Sequence, residues 1–262
     1  MRALTRVCFM AGRALHLAAS ACIAAAESTL TLSELRANIQ TRWNTFNDRV
    51  TDVDSGLEAW ELDAAERLVR PGGSVLIVGC GSGRDLLPYL DRGCLVTGID
   101  PAPAALAIAR RVVAERGLRA DLIEGFVDDC TITGAFDAVF FSWYCYPQIP
   151  ESQRRIRTLR HLASQLKPGG RISVNFEVFP RPHPIVITIA RACGALARSD
   201  WRLEPGDIVE WRRHGGAPFF SFFHAFVPEE IERESAAAGL RIVFRKDPPD
   251  VPVYIFEVVA HG

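Results

Sequence analysis

The sequence predicts an α/β fold, an open and mostly parallel sheet with helices on both faces. Three observations carry this. Residues 75–85 read VLIVGCGSGRD, a Val/Ile-rich run of the kind a strand buried on both faces needs, leading into three glycines at alternate positions. From there, short apolar runs alternate with amphipathic stretches of helical period as far as residue 177. The last two strand-like runs, RIVFRK and VPVYIFEVV, are joined only by DPPD at 247–250, and so short a connection permits only antiparallel pairing.

The composition is compatible with this. The chain has 262 residues, 48% of them hydrophobic, and a formal net charge of -1, so a sizeable core is within reach and no basic excess calls for nucleic acid as a partner. Seven cysteines are scattered without a C-x-x-C pair, which argues against a disulfide framework or a zinc site and for a reducing compartment. The first 26 residues are less regular. Arg2 and Arg6 precede an apolar stretch with an Ala-x-Ala-like end, as in a secretory signal, but Arg13 and His16 interrupt it and leave it too short to span a membrane. The expectation is an N-terminal extension over 1–28, disordered, frayed or signal-like. A single domain over 29–262 follows, cytoplasmic and with no membrane partner.

Taken in order, Leu32, Leu35, Ile39 and Trp43 recur at helical spacing and predict a helix over 29–49; a second follows over 55–69, and PGG at 71–73 ends it. After the first strand the helix cannot begin much before Arg84, because Pro88 is tolerated only where its missing N–H has no partner. Strands are expected at 94–99, 120–124, 136–143 and 171–177. Between them lie a helix after Pro103 and one over 151–166, whose arginines (154, 155, 157, 160) read as a solvated face. KPGG at 167–170 reads as a helix stop with a turn. From 178 to 225 the alternation fails, and three of the six histidines fall in this stretch, with an apolar helix near 185–197. Long insertions of this kind are commonly functional, and this one reads as a substrate lid. A capped helix, VPEEIERESAAAGL, precedes the final two strands.

A strand, a glycine turn and a helix make a nucleotide-cofactor site, with backbone N–H groups facing the ligand. A dinucleotide fingerprint would be G-x-G-x-x-G, whereas here the third glycine comes one residue early and Arg84 stands in its place. Asp100 ends the second strand, where an acid can accept the ribose hydroxyls of an adenosine. GxGxG with this downstream acid, and LKPGG before the fifth strand, resemble the Rossmann-like (class I) S-adenosylmethionine-dependent methyltransferases. The resemblance covers roughly 55–259, with the insertion unmatched. It implies a seven-stranded, mostly parallel sheet ending in a C-terminal antiparallel hairpin, S-adenosyl-L-methionine as cofactor and a methyl acceptor as partner, with no metal. A small molecule with an oxygen or nitrogen nucleophile is the expected acceptor; the alternatives are a protein or RNA acceptor, or another adenosyl-cofactor enzyme on the same fold.

The resemblance also places residues. The turn Gly79, Cys80, Gly81, Ser82 and Gly83 would approach the methionine part, and Asp100 with Pro101 the ribose. After the third strand the family's usual Gly-Asp has become Gly125-Phe126, so Phe126 and Val127 are expected against the adenine, and Asp128 or Asp129, with Asp128 ahead, at its amino group. Ser142 and Trp143 end the fourth strand beside the transferred methyl. Trp43 would shield the methionine end from the N-terminal side. Tyr144 and His224 are the candidate catalytic bases, since either can take a proton from a hydroxyl.

Overall fold

In the computed structural model, residues 3–50, 53–176, 178–214 and 217–259 are described. The chain forms two compact units. One comprises Met1–Ile39 and Phe179–Ala225, the other Gln40–Val178 and Phe226–Gly262. We call them the helix–hairpin unit and the sheet unit.

The sheet unit holds a seven-stranded sheet in the order β3-β2-β1-β4-β5-β9-β8. Strands β1 (Ser74–Val78), β2 (Leu95–Asp100), β3 (Ala120–Glu124), β4 (Phe136–Phe141) and β5 (Leu166–Asn175) are parallel to one another. The C-terminal pair β8 (Leu240–Lys246) and β9 (Val253–Val258) runs antiparallel, with β9 against β5. Because side chains alternate along a strand, β1 serves two cores. Leu76 and Val78 pack on one face with Val139, Phe141 and Phe256, while Val75 and Ile77 pack on the other with Ala138, Phe140 and Ile255. Helices α3 (Ala59–Leu68), α4 (Leu86–Asp91), α5 (Pro103–Glu115), α6 (Ser152–Ser164) and α8 (Pro228–Ala237) supply the covering layers. Pro88 occupies the third position of α4, where no intrahelical donor is lost.

Two expectations need correction in this unit. KPGG does not separate helix from strand; it lies inside β5. The ladder pairs Phe136 with Leu166 and then Ala138 with Arg171, so the segment bulges out of register around Gly169 at φ 78°. Arg155 is not on a solvated face. It is buried at 1% exposure, with Nε and Nη2 2.9 and 2.8 Å from Glu234 Oε1 on α8. Tyr146 O–H donates to the other carboxylate oxygen at 2.6 Å. A buried charge persists only when paired and hydrogen-bonded, and this pair ties α6 to α8.

The helix–hairpin unit contains α1 (Ala3–Ser28), the beginning of α2 (Leu32–Val50), α7 (Pro184–Ala197) and an antiparallel hairpin, β6 (Asp207–His214) and β7 (Ala217–His224). Residues 3–28 are therefore a continuous helix, and they share a unit with the 179–225 segment, where a loose extension to a single domain was expected. The seam between α1 and α7 is built from small residues. A Cβ on Gly194 would meet the Ser28 carbonyl oxygen at 2.8 Å, and Ser28 Oγ donates to the Ala190 carbonyl at 2.7 Å.

Candidate active site

The site is built at the C-terminal edge of the parallel strands in the sheet unit. Past Val78 the chain is held onto β2, since Gly79 N–H and Cys80 N–H both donate to the Ile99 carbonyl, at 2.8 and 3.2 Å. A Cβ on Gly79 would lie 2.1 Å from Cys145 Sγ, so close approach of the loop after β4 demands glycine there. Gly81 adopts φ +50°, and nothing lies within 4 Å of the point where its Cβ would be, so the turn opens onto free space. Cys80 is a packing residue whose thiol points at Gly98, and burial pushes its pKa up, keeping it neutral.

Asp100 ends β2 beside this turn. Its Oδ2 accepts the Gly81 N–H at 2.9 Å and its Oδ1 the Ala102 N–H at 2.8 Å. The residue thus caps the following turn and fixes the glycine loop at once, and each oxygen retains a second lone pair. Burial pushes its carboxyl up to about 6, against the pull of the two backbone donors.

Sequence reasoning missed a cluster of charged residues next to this turn. Arg84 reaches both oxygens of Glu61 on α3, at 2.6 and 2.9 Å, and the Gly56 carbonyl at 3.2 Å. Glu61 is fully buried. Asp85 is buried too, and its Oδ2 accepts from Ser142 Oγ. Arg84 Nη2 also lies 2.7 Å from Asp85 Oδ1, so one guanidinium pairs with both acids. Burial, reinforced by Glu61, pushes Asp85 up to about 7. The available signal was Arg-Asp directly after the glycines, two charges at the start of the helix.

The end of β4 supplies an aromatic wall. Trp143 is 40% exposed, so it is not core, and the Arg84 guanidinium lies 5.7 Å from its ring. Tyr144 has φ 57°, an uncommon conformation for a bulky residue, held by Asn175 Oδ1 accepting its N–H at 2.5 Å. Its ring stacks on Trp60, with centroids 6.4 Å apart. From α2, Trp43 Nε1 donates to Gln148 at 3.0 Å, and Gln40 Nε2 donates to the Pro101 carbonyl at 2.8 Å. Trp43, Pro101, Ser142 and Tyr144 therefore belong to one neighbourhood of the sheet unit. After β3, Phe126 is half-buried, Val127 is packed into the core, and Asp128 Oδ2 lies 3.9 Å from Arg154.

His224 is placed in the other unit. It is buried at 1% exposure, with Nδ1 2.6 Å from Asp207 Oδ1. Among the described residues, no group of three or more His, Cys, Asp or Glu side chains is placed to hold a metal ion.

An open glycine turn, an acid at the end of β2 and this strand order define a class I nucleotide-cofactor fold. Residues 75–170 match the family model described as a methyltransferase domain. The sheet unit thus has the fold of the class I, Rossmann-like S-adenosylmethionine-dependent methyltransferases, and residues 75–170 within it are similar to a methyltransferase domain. Among curated proteins, the ribosomal protein L11 methyltransferase of Burkholderia mallei (strain NCTC 10229) is 36% identical over 159 residues, covering 59% of this chain and 44% of that protein. The chain thus spans less than half the length of the curated relatives it matches. Among solved structures, an S-adenosylmethionine-dependent methyltransferase from Methanosarcina mazei superposes with a TM-score of 0.59 at 18% identity, covering 78% of this chain and all of that one. An S-adenosylmethionine-bound amino pentose methyltransferase from Micromonospora echinaspora gives 0.53 at 20% identity, covering 76% and 91%.

Proposed function

We propose that the chain transfers the methyl group of S-adenosylmethionine to an oxygen or nitrogen of a small molecule, at the C-terminal edge of β1, β2 and β4. The observation that carries this is Asp100 bonded to the N–H of Gly81, where the turn opens onto free space. A ligand with ribose hydroxyls fits this acceptor, because Asp100 has lone pairs left for hydroxyls. In this reading the backbone of 79–83 holds the methionine part, Asp100 and Pro101 the ribose, and Phe126 and Asp128 the adenine. Trp43 covers one side, and Ser142 and Trp143 face the reacting end.

The cofactor supplies an already activated methyl, so the protein's task is positioning. The exposed Trp143 and the Trp60–Tyr144 stack form an apolar wall of the kind that seats a ring-bearing small acceptor. Tyr144 is the proposed proton acceptor where the nucleophile begins protonated. His224, buried and engaged by Asp207, is better assigned to holding its own unit together. A second reading, a protein acceptor, draws on the 36% identity to ribosomal protein L11 methyltransferase. More than half of that relative lies outside the match, so its acceptor does not transfer with the fold.

Calorimetric titration with S-adenosylmethionine, S-adenosylhomocysteine and NAD tests the cofactor, with micromolar affinity expected for the first two, roughly -8 kcal/mol. Tighter binding of NAD would overturn the reading. Labelled methyl supplied to a cell extract should then appear in the dialysable fraction; label in protein alone would select the second reading.

A further inference from the structure

We propose that α1 docks the protein on an anionic lipid bilayer, lying along the surface with one apolar face inserted. This was not expected from the sequence, and it is independent of the methyl-transfer reading.

The exposed large apolar side chains are unevenly spread. Ten of the sixteen such residues belong to the helix–hairpin unit. On α1, Leu4, Val7 and Leu15 are spaced 3 and 8 apart and share a helix face, and they are 63–74% exposed. On α7, packed against α1, Ile185, Ile189 and Leu196 form a second exposed stripe, with Leu196 at 84%. A soluble protein has no reason to present such stripes to water, and contiguous apolar surface marks an interaction site.

Charge identifies the partner. No Asp or Glu occurs between 3 and 26 or between 184 and 197, whereas Arg6, Arg13 and Arg191 do occur there. Two helices with apolar outer stripes, arginines and no acids complement anionic headgroups over hydrocarbon. Contrary to the expectation of a stretch too short to span, the 26-residue helix is long and apolar enough to cross a bilayer, but its other features favour lying on one. Arg6, Arg13 and His16 lie on the side opposite Leu4 and Val7, among the exposed Phe9 and Met10, and Phe9, Arg13 and His16 line a groove of about 1190 Å³ whose far wall is 180–186 and β6. A spanning helix would carry Arg13 into the hydrocarbon at a cost of several kcal/mol. The last two turns are also committed to the protein, with Ala21, Ala24, Glu27 and Ser28 buried.

The test is co-flotation of the full chain with vesicles of phosphatidylcholine alone or with about one third phosphatidylglycerol. Binding to the anionic vesicles is expected, weakened by salt and by about fivefold for each of Arg6→Gln and Arg13→Gln. Val7→Asp and Leu15→Asp should abolish it, whereas Leu62→Asp, an exposed position of the sheet unit, should leave it intact. Both α1 positions are solvent-exposed, and unchanged melting curves would show that folding is preserved. Three results would overturn the proposal: equal recovery in the soluble fraction with both vesicle types, variants that change oligomeric state and not flotation, or loss of residues 1–26 from the protein isolated from cells.

Discussion

The two units treat buried charge in opposite ways. In the sheet unit two arginines drawn into the interior are set against acids: Arg155 meets Glu234, and Arg84 meets Glu61. In the helix–hairpin unit Glu27 is fully buried with neither carboxylate oxygen hydrogen-bonded, beside the Asp207–His224 pair. Burial, then the nearby Asp207, push its carboxyl up to about 8. Paired charges lock an element in place, whereas an unpaired acid stores a proton and costs stability when it ionises.

The largest effect should come from breaking the paired case. Glu234→Ala leaves the Arg155 guanidinium buried without its carboxylate, and should destabilise the sheet unit by about 3–5 kcal/mol in denaturant unfolding. Loss of less than about 1 kcal/mol would show that water reaches the pair. Relieving the unpaired case should act the other way. Glu27→Met removes two orphan oxygens and should stabilise by about 2–4 kcal/mol at pH 7. The sign follows from linkage: a raised carboxyl makes the folded state bind the extra proton, so stability falls as pH rises from about 4.5 to about 8. The gain from Glu27→Met should therefore shrink towards pH 5 and be complete above pH 8, as read from melting curves across that range. A gain independent of pH would assign the effect to packing. The smallest change is functional. Asp100→Ala should weaken S-adenosylmethionine binding by about 1.5–3 kcal/mol in calorimetry, the worth of charge-assisted hydrogen bonds. A lowered melting temperature with affinity unchanged would leave Asp100 only its bonds to Gly81 and Ala102.

The same division governs what could be read from the sequence. In the sheet unit the information is local: VLIVGCGSGRD encodes a strand, a turn and a helix start within a few residues, and Asp100 is placed by ending the next strand. The Arg84–Glu61 contact joins positions 23 apart, with nothing in either neighbourhood to announce the other. Arg155 looked solvated because its neighbours Arg157 and Arg160 are; only the docking of α8 turns it inward. In the helix–hairpin unit almost everything is non-local. Ser28 meets Ala190 across 162 positions, so α1 reads as a stray extension until its partner is seen. The hairpin did leave a trace, Gly-Gly between two runs of strand-forming residues, in the spacing two-residue hairpin loops use. The prolines and glycines around it concealed the pattern.

Strand β9 is the last in the chain yet stands sixth in the sheet, between β5 and β8. A ribosome adding about 5–20 residues per second leaves the edge of β5 unpaired for several seconds before Val253–Val258 is made. Throughout that interval Ile172 and Val174 border an open row of backbone donors and acceptors, a template for pairing with another chain. The nascent protein is thus most prone to aggregate after its five parallel strands are complete and before its final strand arrives, and a chain cut short of residue 253 would keep that edge open.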